Sequence, residues 1–176
     1  GATNVTVDVG YSKTCGGPSN QVARYINQIR ISSTTFSAGG DSGSLIVEAN
    51  SVDPTDGLPR AVGLLFAGSS TSTLANPIGR VLSLLNVSMA SSTPSASSAA
   101  STTLAVNQAA AIKGRHSDSL FSKPGVVGHG VGLAANGKPV IEVYLANENA
   151  STRAQIPSAL ENVPVRVLVT GTFEAY

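Results

Sequence analysis

The sequence predicts a mainly β protein that ends in a small α+β unit, and three observations carry that prediction. Residues 3–9 alternate apolar and polar, with Val5, Val7 and Val9 on one side, which is the period of a half-buried strand. Asn136-Gly137 separates two apolar runs, 126–133 and 139–145; this pair accepts the positive φ values of a tight hairpin turn. Near the C-terminal end Val165, Val167 and Val169 alternate with Arg166, Leu168 and Thr170, a third strand pattern.

Taken in order, residues 3–9 and 22–31 read as strands, joined by a turn-rich loop containing Gly16-Gly17-Pro18. Residues 32–41 form a loop, and 45–49 a strand. Residues 50–59 carry Asp-Pro and Asp-Gly turn signals. Asp53 and Asp56 lie there, but two carboxylates without further oxygen ligands make a poor calcium site. Residues 61–66 are the return strand. A closing helix follows over 77–85, with Pro77 suited to a first turn and Val81, Leu82 and Leu85 on one face. Residues 88–103 are almost all Ser, Ala and Thr, bury little, and mark a linker between a unit over 1–87 and a second over 104–176. The second unit begins with a helix over 104–121, its apolar side formed by Leu104, Ala111, Ile112 and Leu120. The Asn136-Gly137 hairpin comes next, then a helical stretch over 152–160 broken by Pro157, then a strand over 163–173. Together they make a β-β-α-β module. Glycines alternate along 128–132. They lack the spacing of a phosphate-binding loop, so the expectation is close approach of another layer.

Composition excludes several classes. The 176 residues suffice for one sizeable core or two small ones. Eleven basic and ten acidic residues give near neutrality and no clustered basic face, which argues against nucleic acid. No apolar stretch is long enough to span a bilayer. One cysteine, Cys15, excludes an internal disulfide framework; it favours a reducing, cytoplasmic compartment over secretion and reads as a structural thiol. With no local His or Cys partner it is a poor metal ligand, and neither a metal nor a cofactor is expected.

The chemistry is concentrated in Phe36-Ser-Ala-Gly-Gly-Asp-Ser-Gly-Ser-Leu-Ile-Val47. A serine hydroxyl needs a base to take its proton and donors to hold an oxyanion, and glycines on both sides let the backbone turn tightly. The stretch is followed by Val62-Gly-Leu-Leu-Phe-Ala-Gly68, then Asn76-Pro-Ile78 and Val81-Leu-Ser-Leu-Leu85. In these segments the first half of the chain resembles bacterial trypsin-like serine proteases. The resemblance implies the second β-barrel of a two-barrel fold and a serine endopeptidase with Ser42 as nucleophile. It further implies an oxyanion hole from the Gly40 and Ser42 N–H groups, Asp41 supporting the loop, and substrate contacts from Phe36, Phe66, Ala67 and Gly68. With Phe36 and Phe66 beside an uncharged pocket, a small or apolar residue is expected before the cleaved bond. The C-terminal module resembles one that precedes the barrels in the same family, so its position here departs from the usual order.

A protease of this type also needs a histidine base and an aspartate to orient it. The family places both before the serine, yet only 41 residues precede Ser42. His116 and His129 both follow it. Either could approach Ser42 in space, but solvated or loop histidines are the simpler expectation. Gly1 opens directly onto a strand pattern without a leader segment. The expectation is therefore the C-terminal chain of a cut protein, whose companion N-terminal chain supplies His and Asp and stays associated. A polypeptide is the expected substrate, and homo-oligomerisation is open. The competing reading is a catalytically silent protease-fold protein that binds or assembles through its C-terminal module, since fold does not fix function.

Overall fold

The computed structural model describes residues 1–11, 21–52, 57–89 and 100–175, with side chains in the last stretch from 104 onward. Cys15, Asp53 and Asp56 lie outside the described residues.

Among the described residues, ten strands join in one mixed sheet, so the protein is mainly β. They are β1 (Ala2–Tyr11), β2 (Gln21–Ser32), β3 (Leu45–Val52), β4 (Pro59–Ser69) and β5 (Ser72–Pro77), then β6 (Val126–Leu133), β7 (Pro139–Leu145), β8 (Ala159–Leu160), β9 (Val163–Val169) and β10 (Phe173–Ala175). The helices are α1 (Ile78–Leu85), α2 (Ala100–Arg115), α3 (Ser117–Phe121) and α4 (Ala150–Gln155). The 6–7 hairpin turns where expected, with Gly137 at φ 75° and Leu133 opposite Pro139. Strand β9 returns through α4 to lie parallel to β7, which gives the β-β-α-β order.

Two features of the sheet were not foreseen. Strand β1 bonds β2 along one edge and β6 along the other, so strands from before and after the Ser/Ala/Thr-rich stretch share one sheet. The short C-terminal strand β10 bonds both β4 and β1, which closes β1, β2, β5, β4 and β10 into a ring. Val5, Val7, Val9, Ala67, Leu74, Tyr144 and Phe173 form a fully buried cluster, in which the valine alternation of β1 finds its partners. A second cluster lies where Leu120 of α3 meets Ile141, Val143 and Leu145 of β7, with Val163, Val165 and Val167 of β9 against it.

Several boundaries differ from expectation. The strand expected over 163–173 is broken at Gly171, whose φ of 77° turns the chain before β10. The helix expected over 104–121 starts at Ala100 and is interrupted at His116. Its buried side also differs. Leu104 is 62 % exposed and Ala111 is exposed, whereas Ala109 and Lys113 are buried. A one-turn step between small Ala109 and the long stem of Lys113 lets α2 sit close on β6 and β7.

The alternating glycines of β6 are covered by side chains from β7. A Cβ on Gly128 would stand 2.9 Å from both the Thr6 carbonyl oxygen and Tyr144 Cδ2; one on Gly130 would meet Tyr144 Oη at 2.5 Å. Tyr144 thus packs close against β6 because those positions carry no side chain. Gly128→Ala is expected to destabilise the protein by about 1–3 kcal/mol, the cost of overpacking a closed core. Urea unfolding of the purified variant measures it.

Candidate functional site

The loop after β2 is built to hold Ser42 out from the sheet. Gly40 at φ 102° and Gly43 at φ 87° adopt backbone conformations that side-chain-bearing residues rarely take, and Ser42 lies between them, exposed. Asp41 closes the turn before the serine twice over. Its N–H donates to the Ala38 carbonyl at 3.2 Å, and its carboxylate accepts from the Ala38 N–H at 2.8 Å. Beyond the serine, the Gly43 N–H donates to the Leu65 carbonyl at 2.8 Å and the Leu65 N–H donates to the Ser44 carbonyl at 3.0 Å. The loop is thereby pinned to the middle of β4. Ser37 Oγ bonds Thr73 Oγ1 of β5, and the Ser33 N–H donates to the Thr71 carbonyl at 3.0 Å, anchoring the loop's first half.

Gly40, Asp41, Ser42 and Phe36 therefore share one loop, with Phe36 48 % exposed. Phe66, Ala67 and Gly68, the residues expected to wall a pocket, lie together on β4. Phe66 packs on Tyr25 with ring centroids 4.8 Å apart. Ala67 and Gly68 are buried, and both edges of β4 are occupied there: Leu74 and Thr73 of β5 on one side, Ala175 and Glu174 of β10 on the other.

Each imidazole of the chain has another partner. His116 Nε2 lies 3.1 Å from Glu161, which also accepts two bonds from Arg115. His129, fully buried on β6, bonds Ser117 Oγ through Nε2 at 2.9 Å. Its Nδ1 is buried with no hydrogen-bond partner among the described residues. Burial, with the charges of Lys113 and Arg24 nearby, pushes its pKa down to about 3, so the ring is neutral at physiological pH.

Sequence reasoning missed two polar groupings. One is the buried His129, which bonds Ser117 and feels the charge of Lys113. Lys113 is 5 % exposed, donates from Nζ to Thr6 Oγ1 at 3.2 Å, and has its pKa lowered to about 8 by burial. The other is an ionic cluster at the β2–β7 level of the sheet. There Glu142 accepts from Arg30 Nη2 at 2.8 Å, from Tyr144 Oη at 3.0 Å and from Arg166 Nη2. Lys113 lies within an Ala-rich helix and Arg30 in an imperfectly alternating strand, and neither carries a local pattern that marks it as buried. The signal that could have found Lys113 is its one-turn spacing from Ala109 on the face that turns inward. Among the described residues, no group of three or more His, Cys, Asp or Glu could hold a metal ion, and no helix is long and apolar enough to cross a membrane. No family model, no curated protein and no solved structure matches this chain.

Proposed function

We propose that this chain is the nucleophile-bearing part of a trypsin-like serine endopeptidase and that the catalytic His and Asp come from a companion chain. The observation that carries the reading is the presentation of Ser42. The residue is exposed on a loop with positive-φ glycines on both sides, fixed by Asp41 before it and by β4 after it. Such a fixed, outward loop is what a serine nucleophile requires, because its hydroxyl and the adjacent N–H groups must be aimed before substrate arrives.

An imported base follows from the engagement of His116 with Glu161 and of His129 with Ser117. In the proposed reaction, Ser42 Oγ attacks the peptide carbonyl while the companion's imidazole takes the hydroxyl proton and returns it to the leaving amine. The companion's aspartate holds that imidazole, and the Gly40 and Ser42 N–H groups stabilise the oxyanion. Surface chemistry supports a companion. Strand β3 bonds only β4 among the described residues and exposes Leu45 and Val47, and α1 exposes Leu84 and Leu85. The closed ring of strands around the valine cluster supports the barrel half of the reading.

The test is fluorophosphonate labelling of the protein isolated with whatever polypeptide accompanies it. The expected result is a copurifying chain with a histidine-bearing segment, label on Ser42, and loss of both label and peptide hydrolysis in Ser42→Ala by about 10⁴-fold or more. A native, folded preparation that neither labels nor hydrolyses would refute the reading. That outcome would favour the binding or assembly protein. One observation already favours this second reading: β10 occupies the edge of β4 at Ala67 and Gly68, where a substrate strand would otherwise bond.

A further inference from the structure

A cavity of about 310 Å³ opens between β1, β2, α2 and α3, away from the Ser42 loop and independent of its chemistry. Lys113 lies in its wall. Lysine carries three N–H donors, and here one bond to the neutral Thr6 hydroxyl is formed. No carboxylate among the described residues forms an ion pair with it. A buried ammonium in that state is costly unless something in the cavity compensates it.

The strands themselves are deformed at this cavity. Asn4 of β1 has φ 50° and Asn27 of β2 has φ 58°, and the register between the two strands shifts between Ala2 and Val5 and again between Val5 and Val7. Both asparagines line the cavity. Left-handed backbone in a strand interior costs free energy, and bulges of this kind re-aim a side chain. Neither side-chain amide is hydrogen-bonded within the described residues. Two residues with left-handed backbone on adjacent strands therefore line the same cavity as the Lys113 ammonium.

The charges around the cavity set the ligand class. Arg24 of β2 is already committed to Asp8 of β1 by two bonds, at 2.7 and 2.9 Å, and lies over the Phe121 ring. Asp118 of α3 is exposed and adds one negative charge; His129 of β6, behind Ser117, is neutral. Asp118 offsets Lys113 in overall charge but forms no ion pair with it among the described residues, so a ligand with one negative charge suits the ammonium better than one with two. Ile26, Ala110 and Gly114 supply apolar wall for a short hydrocarbon.

We propose that this cavity binds a small monocarboxylate, with its carboxylate on the Lys113 ammonium and the Asn4 and Asn27 amides. Binding should weaken as Lys113 loses its proton. The groups facing it are Thr6, the Arg24–Asp8 pair, Asp118 and neutral His129.

Titration calorimetry of the full chain with butyrate, butyramide and inorganic phosphate tests the proposal. Saturable butyrate binding, at least about tenfold tighter than butyramide and falling about thirtyfold from pH 7 to 9.5, is the expected result. Lys113→Met should remove it. Should that variant fail to fold, Asp118→Asn at the exposed position should instead tighten butyrate several-fold. Equal binding of butyrate and butyramide, tighter binding of phosphate, no saturable binding, or an unchanged affinity in Asp118→Asn would each overturn the assignment.

Discussion

Glu142→Ala is expected to lower the unfolding free energy by about 3–5 kcal/mol, enough to remove a large part of the stability of an ordinary domain. The carboxylate is 1 % exposed and sits between two guanidinium groups. Burial alone would push its pKa up, but the bonds from Arg166 and Arg30 outweigh that and hold it below the usual carboxylate range. Arg30 is itself 3 % exposed, donates from Nη1 to Ser72 Oγ at 2.9 Å, and has its Cζ 4.6 Å from the centre of the Tyr144 ring. Its Nε is buried without a hydrogen-bond partner among the described residues. Removing the carboxylate leaves this guanidinium buried and unmatched, and truncation costs more than the pair contributes. Arg166 is 43 % exposed, so Arg166→Met should cost only about 0–1 kcal/mol. The discriminating variant is the double substitution Glu142→Leu with Arg30→Met. It removes both charges together and should recover most of the lost stability. Urea unfolding of the three variants measures this, and a Glu142→Ala loss below about 1 kcal/mol would show that the cluster is hydrated in solution.

Local pattern made the strands legible, whereas their partners were set by contacts it does not encode. The valine alternation in β1 marks an inward face, and that face is buried. Asn136-Gly137 encodes both the existence and the register of the 6–7 hairpin, because turn chemistry fixes both at once. The pairing of β1 with β6 joins residues more than a hundred positions apart, and a period-2 pattern says which face is apolar but not which strand lies beside it. Strand β5, Ser72–Pro77, is short, begins with two hydroxyl residues and reads as a connection; its place is fixed by β2 and β4 on either side. Strand β10 has three residues, too few for any period. At the candidate site, the tetrapeptide Gly40-Asp-Ser-Gly43 carried the tight turn, since two of its glycines have positive φ. The cover over Ala67 and Gly68 and the grouping of Lys113, Ser117 and His129 depend on tertiary packing. They could not be read along the chain.

Acid should destabilise this protein earlier than its carboxylates alone would dictate, and His129 is the cause. An unfolded chain binds a proton on this imidazole near pH 6.5, while the folded chain resists until about pH 3 because burial, aided by Lys113 and Arg24, opposes the charge. The folded pKa is the lower one and the group is a base, so stability is full above pH 6.5. It falls as pH drops toward 3, where the unfolded state alone holds the proton. Over that window the loss is capped near about 5 kcal/mol, and between pH 6.5 and 5 it is about 2 kcal/mol. Glu142 acts in the same direction, but its contribution is lost only as pH falls below the ordinary carboxylate value of 4.5. The interval from pH 6.5 to 5 therefore separates His129 from Glu142, and the His129→Gln comparison assigns the change to that ring. His129→Gln keeps a polar atom for Ser117 and carries no titrating group. Its stability at pH 7 is expected to be lower than that of the native chain through imperfect packing, yet its profile from pH 7 to 5 should be about 2 kcal/mol flatter. Urea midpoints taken across that range compare the two directly. Parallel profiles would mean that His129 takes up its proton in the folded state at an ordinary pH, which a ring with no exposed surface and an unpartnered Nδ1 could not do without the sheet opening around it.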